Sequence, residues 1–115
     1  MKILKQLFFS MLLSLVFINQ AYCQTYPIKL SNVSSIYEFH EQLQKDLDLP
    51  YYYTKTWADF YGSLSDKLSE GQSVTFILSD LKNFEKRFPD DASKMMKAMN
   101  DLKAAYPKRL KIMIK

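Results

Sequence analysis

At 115 residues the chain has room for one ordinary domain, and 48% hydrophobic with 24% charged residues is a globular composition. Two glycines, Gly62 and Gly71, cannot build a glycine-rich phosphate loop or a dinucleotide fingerprint. One cysteine and one histidine exclude a disulfide framework, a cysteine-rich zinc site and chemistry by a histidine pair.

The formal charge of +4 is partly a property of the first segment. Lys2 and Lys5 precede an apolar run, Leu7–Ile18, and a short end with small residues at Ala21 and Cys23. This order predicts a secretory signal peptide over residues 1–23. The run is shorter than the about 20 residues a membrane-spanning helix needs. Cleavage is expected after Cys23, with Ala21 as the second choice. Lipidation at Cys23 would expect a small residue before it, where Tyr22 stands. Loss of residues 1–23 removes two lysines and no acid, so the net charge falls to +2. That is no basis for nucleic-acid binding. The expected product, residues 24–115, is secreted or periplasmic, monomeric and without a membrane span.

Tyr26–Leu30 reads as a short strand, its early proline tolerable in a strand's first residues. Ser31, Asn32, Ser34 and Ser35 offer helix caps. Ile36, Phe39, His40, Leu43 and Leu47 then share one helical face, and Pro50 is expected to stop that helix at Leu49. Tyr51–Thr56 is an aromatic and polar loop. Thr56 and Asp59 form a capping-box-like pair for a second helix, Trp57–Leu68, which buries Trp57, Phe60 and Leu64. Ser73–Leu78 shows no clean alternation and reads as a strand covered on both faces. Ser79 and Asp80 can cap a short helix, Leu81–Phe88, ended by Pro89. A longer helix, Ala92–Ala105, follows, with Met95, Met96, Met99 and Leu102 inward. Leu110, Ile112 and Ile114 alternate in a final strand. Strands separated by helices imply right-handed crossovers and an α/β domain with a small three-stranded parallel sheet and about four helices.

Residues that could carry catalysis are scarce. His40 sits on the apolar stripe and reads as a core histidine bonded to a backbone carbonyl. The methionine group reads as packing, and Asp90–Asp91 as acids at a helix start. No nucleophile elbow occurs. No catalytic residue, metal or cofactor is expected. Tyr51–Tyr61 is the unusual segment, with Tyr51, Tyr52, Tyr53, Trp57, Phe60 and Tyr61 in close succession. Three consecutive tyrosines cannot all face one core. An exposed ring there is either a cover for the core's edge or an anchor for a protein partner.

The string YEFHEQLQKDLDLPYYY with TKTWADFYGSL resembles the barstar family, inhibitors of barnase-type ribonucleases. The resemblance is carried by Phe39-His40, Leu49-Pro50, Tyr52-Tyr53, Thr54–Thr56 and Trp57, and the later order of VTFIL, two helices and LKIMI agrees with it. It implies that the loop and second helix meet a protein partner. By that resemblance Tyr52 matches the family's tyrosine and Asp101 its late acid. The family's two helix aspartates fall where this chain has Ala58 and Gly62. Asp59 is one residue from the first, about 100° around the helix. Thr54 and Lys55 replace the loop glycine and its neighbouring acid. The expected binding residues are Tyr52, Thr54, Thr56, Asp59 and Asp101. The expected partner is an extracytoplasmic ribonuclease or other toxin-like enzyme, less basic than barnase. A non-inhibitory structural or interaction protein of the cell envelope is the alternative.

Overall fold

A computed structural model describes residues 23–115. The expected signal peptide lies outside the described residues except for Cys23. The elements run β1 (Cys23–Lys29), a 3-10 turn (Leu30–Asn32), α1 (Ile36–Asp46), α2 (Trp57–Ser69), β2 (Ser73–Ser79), α3 (Leu81–Arg87), α4 (Pro89–Ala105) and β3 (Leu110–Ile114). The strands form one parallel sheet in the order β1-β2-β3. The α/β architecture expected from the sequence is the one found.

Both crossovers step in the same direction, so crossovers of one hand put all four helices on the same face. This corrects the expectation for β2. Val74, Phe76 and Leu78 are buried, whereas Ser73, Thr75, Ile77 and Ser79 are half-buried. Ser73, Thr75 and Ser79 already mark the open face, and Ile77 alone masks the alternation. Thr25, Pro27, Lys29, Lys111 and Met113 continue that open face. Pro27 lies in the middle of β1, not at its start. An edge strand tolerates it there because only one side of the strand needs partners. Leu30 leaves the strand for the 3-10 turn and is fully buried. Ile114, at the end of β3, is exposed.

The helix ends differ from the expected boundaries for identifiable reasons. Ser35 caps α1 by accepting the Glu38 N–H at 3.1 Å. Pro50 does not stop α1. Asp48 takes a left-handed conformation, φ 51°, and the Leu49 and Asp48 N–H groups close back on the Gln44 and Lys45 carbonyls. That is a Schellman end. Gly71, φ 104°, closes α2 in the same way, with Gln72 and Gly71 donating to Lys67 and Leu68. Asp80 is also left-handed and makes no side-chain cap, so α3 lacks the expected one. Pro89 opens α4 instead of only ending α3, as the first position of a helix allows. Arg87 tethers the end of α3 to the 3-10 turn by donating to the Leu30 carbonyl at 2.8 Å and to the Val33 carbonyl.

The core is an aromatic file backed by aliphatic side chains. Phe84, Phe39, Trp57, Phe60 and Phe76 follow one another with ring centroids 5.5–6.3 Å apart, from α3 through α1 and α2 to the sheet. Leu43, Leu64, Leu68, Met95, Met99 and Leu102 fill the space around it. Met96 is only partly buried, and Ala92 and Ala98 take the remaining inward positions of α4. Leu43 is 3% exposed on the inner face of α1. Leu43→Ala should cost about 2–5 kcal/mol in urea unfolding. A loss below about 1 kcal/mol would show that α1 is not docked as described.

Candidate functional site

The tyrosine loop separates its three rings by burial. Tyr53 is 4% exposed, Tyr52 67% and Tyr51 94%. Tyr53 turns inward because its N–H closes a turn on the Pro50 carbonyl at 3.0 Å, and Gln44 Nε2 holds the same carbonyl at 2.8 Å. Its hydroxyl lies 2.6 Å from His40 Nδ1 and 3.4 Å from the Thr56 carbonyl oxygen. The partner of His40 is therefore a phenol, not the expected backbone carbonyl. The imidazole also packs against Trp57, with centroids 4.3 Å apart. Trp57 Nε1 donates to Asp91 at 3.0 Å, which joins the start of α2 to the first turn of α4. One side chain from each of α1, the loop, α2 and α4 thus meets at a single locus.

Burial sets the protonation of this locus. It pushes the His40 imidazolium below the ordinary histidine range, with Asp91 opposing and Lys55 adding to that shift. It also pushes the Tyr53 phenol well above the ordinary range, with Asp59 adding to the effect. Both groups are therefore neutral at pH 7, as a buried hydrogen-bonded pair requires.

Beyond Tyr53 the loop is held by short polar contacts. Thr56 caps α2 by accepting the Asp59 N–H at 3.1 Å, as expected. Asp59 does not complete the box on Thr56. Its carboxylate accepts the Thr54 N–H at 2.6 Å and the Thr54 hydroxyl at 3.1 Å. Thr54 and Thr56 hydroxyls also lie 3.1 Å apart. Lys55 between them is left-handed, φ 58°, a conformation that costs a non-glycine residue on the order of 1 kcal/mol. Its ammonium sits 5.1 Å above the exposed Tyr37 ring.

The structure gathers Thr54, Thr56 and Asp59 into one hydrogen-bonded cluster. Tyr52 stands apart from it, edge to face with Tyr51 at 5.3 Å. Asp101 lies on a separate feature, a shallow groove of about 340 Å³ between α2 and α4. Trp57, Ala58, Tyr61, Lys94, Lys97 and Ala98 complete its lining. Asp101 pairs with Lys97 at 2.8 Å, and this carboxylate holds the ammonium above the ordinary lysine range. Ala58 lines the groove and Asp59 does not. A Cβ at position 62 would meet no atom within 4 Å. Sequence reasoning missed Lys94 and Lys97. Their spacing with Asp101, at 0, 3 and 7, places all three on one helical face and was readable. The bond from Trp57 to Asp91 joins residues 34 apart, and no local pattern announces it.

A second groove, about 430 Å³, runs between β1 and α1, with Ile28, Val33, Phe39 and Leu43 as its apolar part and Glu38 and Asp46 among its acids. Among the described residues no helix is long and apolar enough to cross a membrane, and no three His, Cys, Asp or Glu side chains converge.

The depressed proton affinity of His40 has a measurable consequence. In the unfolded chain this histidine titrates near 6.5 and in the folded chain lower. The unfolded state therefore binds more protons in that interval, and stability is lost as pH falls from about 6.5 toward the folded value. The midpoint of thermal unfolding should hold between pH 7 and 8 and drop between about pH 6.5 and 5.5. His40→Gln should flatten that drop. An equal drop in His40→Gln would assign it to other groups.

A search of curated proteins returns no match. The family model for Barstar (barnase inhibitor) matches residues 23–114, which takes in every strand and helix described above, the tyrosine loop and the groove between α2 and α4. With that match over a three-stranded parallel sheet and four helices, the chain belongs to the barstar family.

Proposed function

We propose that this is an exported barstar-family protein that binds a protein partner, an extracytoplasmic ribonuclease or other toxin-like enzyme, and is not itself an enzyme. The observation that carries this reading is the division of the tyrosine loop. Tyr53 is fastened to His40, while Tyr51 and Tyr52 are left in solvent beside a loop stiffened by Thr54, Thr56 and Asp59. Exposed aromatic rings on a loop held by hydrogen bonds suit an interface, because little loop entropy is lost on binding. Tyr52 is the centre of the proposed surface, with Thr54, Thr56, Asp59 and Asp101 around it.

The charges define which partner this surface suits. The family resemblance places acids where this chain has Ala58 and Gly62. Close charge pairs buried against a basic cleft are each worth up to several kcal/mol, and every 1.4 kcal/mol is tenfold in affinity. Without the two acids, inhibition of a basic barnase-type ribonuclease should be weak or absent. The same two positions favour the alternative, a non-inhibitory interaction protein of the cell envelope.

Three measurements test the reading. Tyr52→Ala should weaken capture of the partner from an extracytoplasmic fraction at least about tenfold, and an unchanged affinity would remove Tyr52 from the surface. Ala58→Asp with Gly62→Asp should bring measurable inhibition of a barnase-type ribonuclease, whereas nanomolar inhibition by the unaltered protein would refute the charge argument. The intact mass of the exported protein should correspond to a chain beginning at Gln24, with β1 shortened by its first residue, Cys23. A mass retaining residues 1–23, or a diacylglycerol on Cys23, would contradict this.

A further inference from the structure

The groove between α2 and α4 has a chemistry distinct from the tyrosine loop. Trp57, Ala58, Tyr61 and Ala98 give it an apolar lining, and Lys94, Lys97 and Asp101 supply its charges. The small side chain of Ala58 leaves the α2 side low. Two neighbouring acids are hydrogen-bonded within the chain. Asp59 is bonded to Thr54, and Asp91 to Trp57 Nε1. Lys94 is exposed and forms no ion pair among the described residues. Lys97 is exposed and held in place by Asp101, through a pair that solvent leaves easy to exchange.

Resting on the reading of this face as a protein-binding surface, we propose that the groove receives an acidic segment of the partner, with an aromatic or aliphatic side chain against Trp57, Tyr61 and Ala98 and carboxylates on Lys94 and Lys97. Charge complementarity selects this occupant. The groove's own lining carries two lysines against one aspartate, and Lys94 has no acid paired with it among the described residues. Two cations around an apolar lining suit a short carboxylate-bearing peptide element. A nucleic acid would need a longer row of cations along its phosphates. The lining thus has an excess of one positive charge, where one that mimics phosphates for a basic cleft would have an excess of acids. Asp101 acts as a positioning residue that fixes Lys97.

Trp57 is the only tryptophan and lines the groove, so its fluorescence reports occupancy. The exported protein is titrated with a random copolymer of glutamate and tyrosine, with poly-lysine and with oligothymidylate, exciting beyond tyrosine absorption. The acidic copolymer should shift Trp57 emission saturably, and salt near about 1 M, where the Debye length is about 3 Å, should weaken it at least about tenfold. Lys94→Glu with Lys97→Glu should weaken it at least about tenfold at an unchanged unfolding midpoint. Lys94→Arg with Lys97→Arg should retain binding, and Lys94→Gln with Lys97→Gln serves if the glutamate pair fails to fold. Binding unaffected by the charge-altered variants, or an equal response to poly-lysine or oligothymidylate, overturns the proposal. In partner capture, loss with Tyr52→Ala but not with the charge-altered lysine pair overturns the acidic partner and leaves the tyrosine surface standing. Retention by both variants overturns both.

Discussion

The hydrogen bond between His40 and Tyr53 is the contact on which the rest of the loop depends. It is buried, it joins residues on either side of the chain reversal at Asp48–Pro50, and it fills the space beside Trp57. A buried imidazole without a partner would cost on the order of 1–3 kcal/mol, and so would a buried phenol. Each supplies what the other needs. Once Tyr53 is fixed, Tyr51 and Tyr52 have nowhere to go but outward. Thr56 then arrives at the start of α2 in a position to cap it, and Trp57 reaches Asp91 on α4.

Position and charge are separable in this molecule. The aromatic file from Phe84 to Phe76 and the one-sided sheet place the loop and the groove side by side, and neither depends on any exposed charged side chain. Exposed positions that make no hydrogen bond within the chain are free to vary in charge. Charge on α2 can change at positions 58 and 62 without disturbing its packing, since Ala58 is exposed and a Cβ at 62 meets open space. One frame can therefore face partners of different electrostatic character.

Much of the architecture was legible because strong periodicity and buried position coincide. The apolar stripe of α1, the cap at Thr56 and the parallel order of strands follow from local pattern and crossover rules. The burial of β2 was misread because Ile77 sits among the polar residues of the open face. The end of α1 was misread because Pro50 is conspicuous, whereas the helix stops at a left-handed Asp48 that no residue type announces. At the site, Tyr52 and Tyr53 were named, but which ring turns inward depends on a bond between residues 13 apart. The neighbourhood of Asp59 shows the same limit. Its spacing suggested a capping box, and tertiary geometry gave its carboxylate to Thr54 instead. Lys94 and Lys97 acquire meaning only when α4 is laid against α2.

The most direct test of the anchoring role is amide hydrogen exchange in Tyr53→Phe, which removes the hydroxyl and keeps the ring. The loss strands a buried imidazole nitrogen, at a cost on the order of 1–3 kcal/mol, and a 1.4 kcal/mol change is tenfold in opening. Exchange at the Thr54 amide, which donates to Asp59, should rise about tenfold or more, while amides of β2 and α4 keep their relative protection. Unchanged exchange at Thr54, or an equal loss of protection throughout the chain, would contradict the view that this one bond organises the loop.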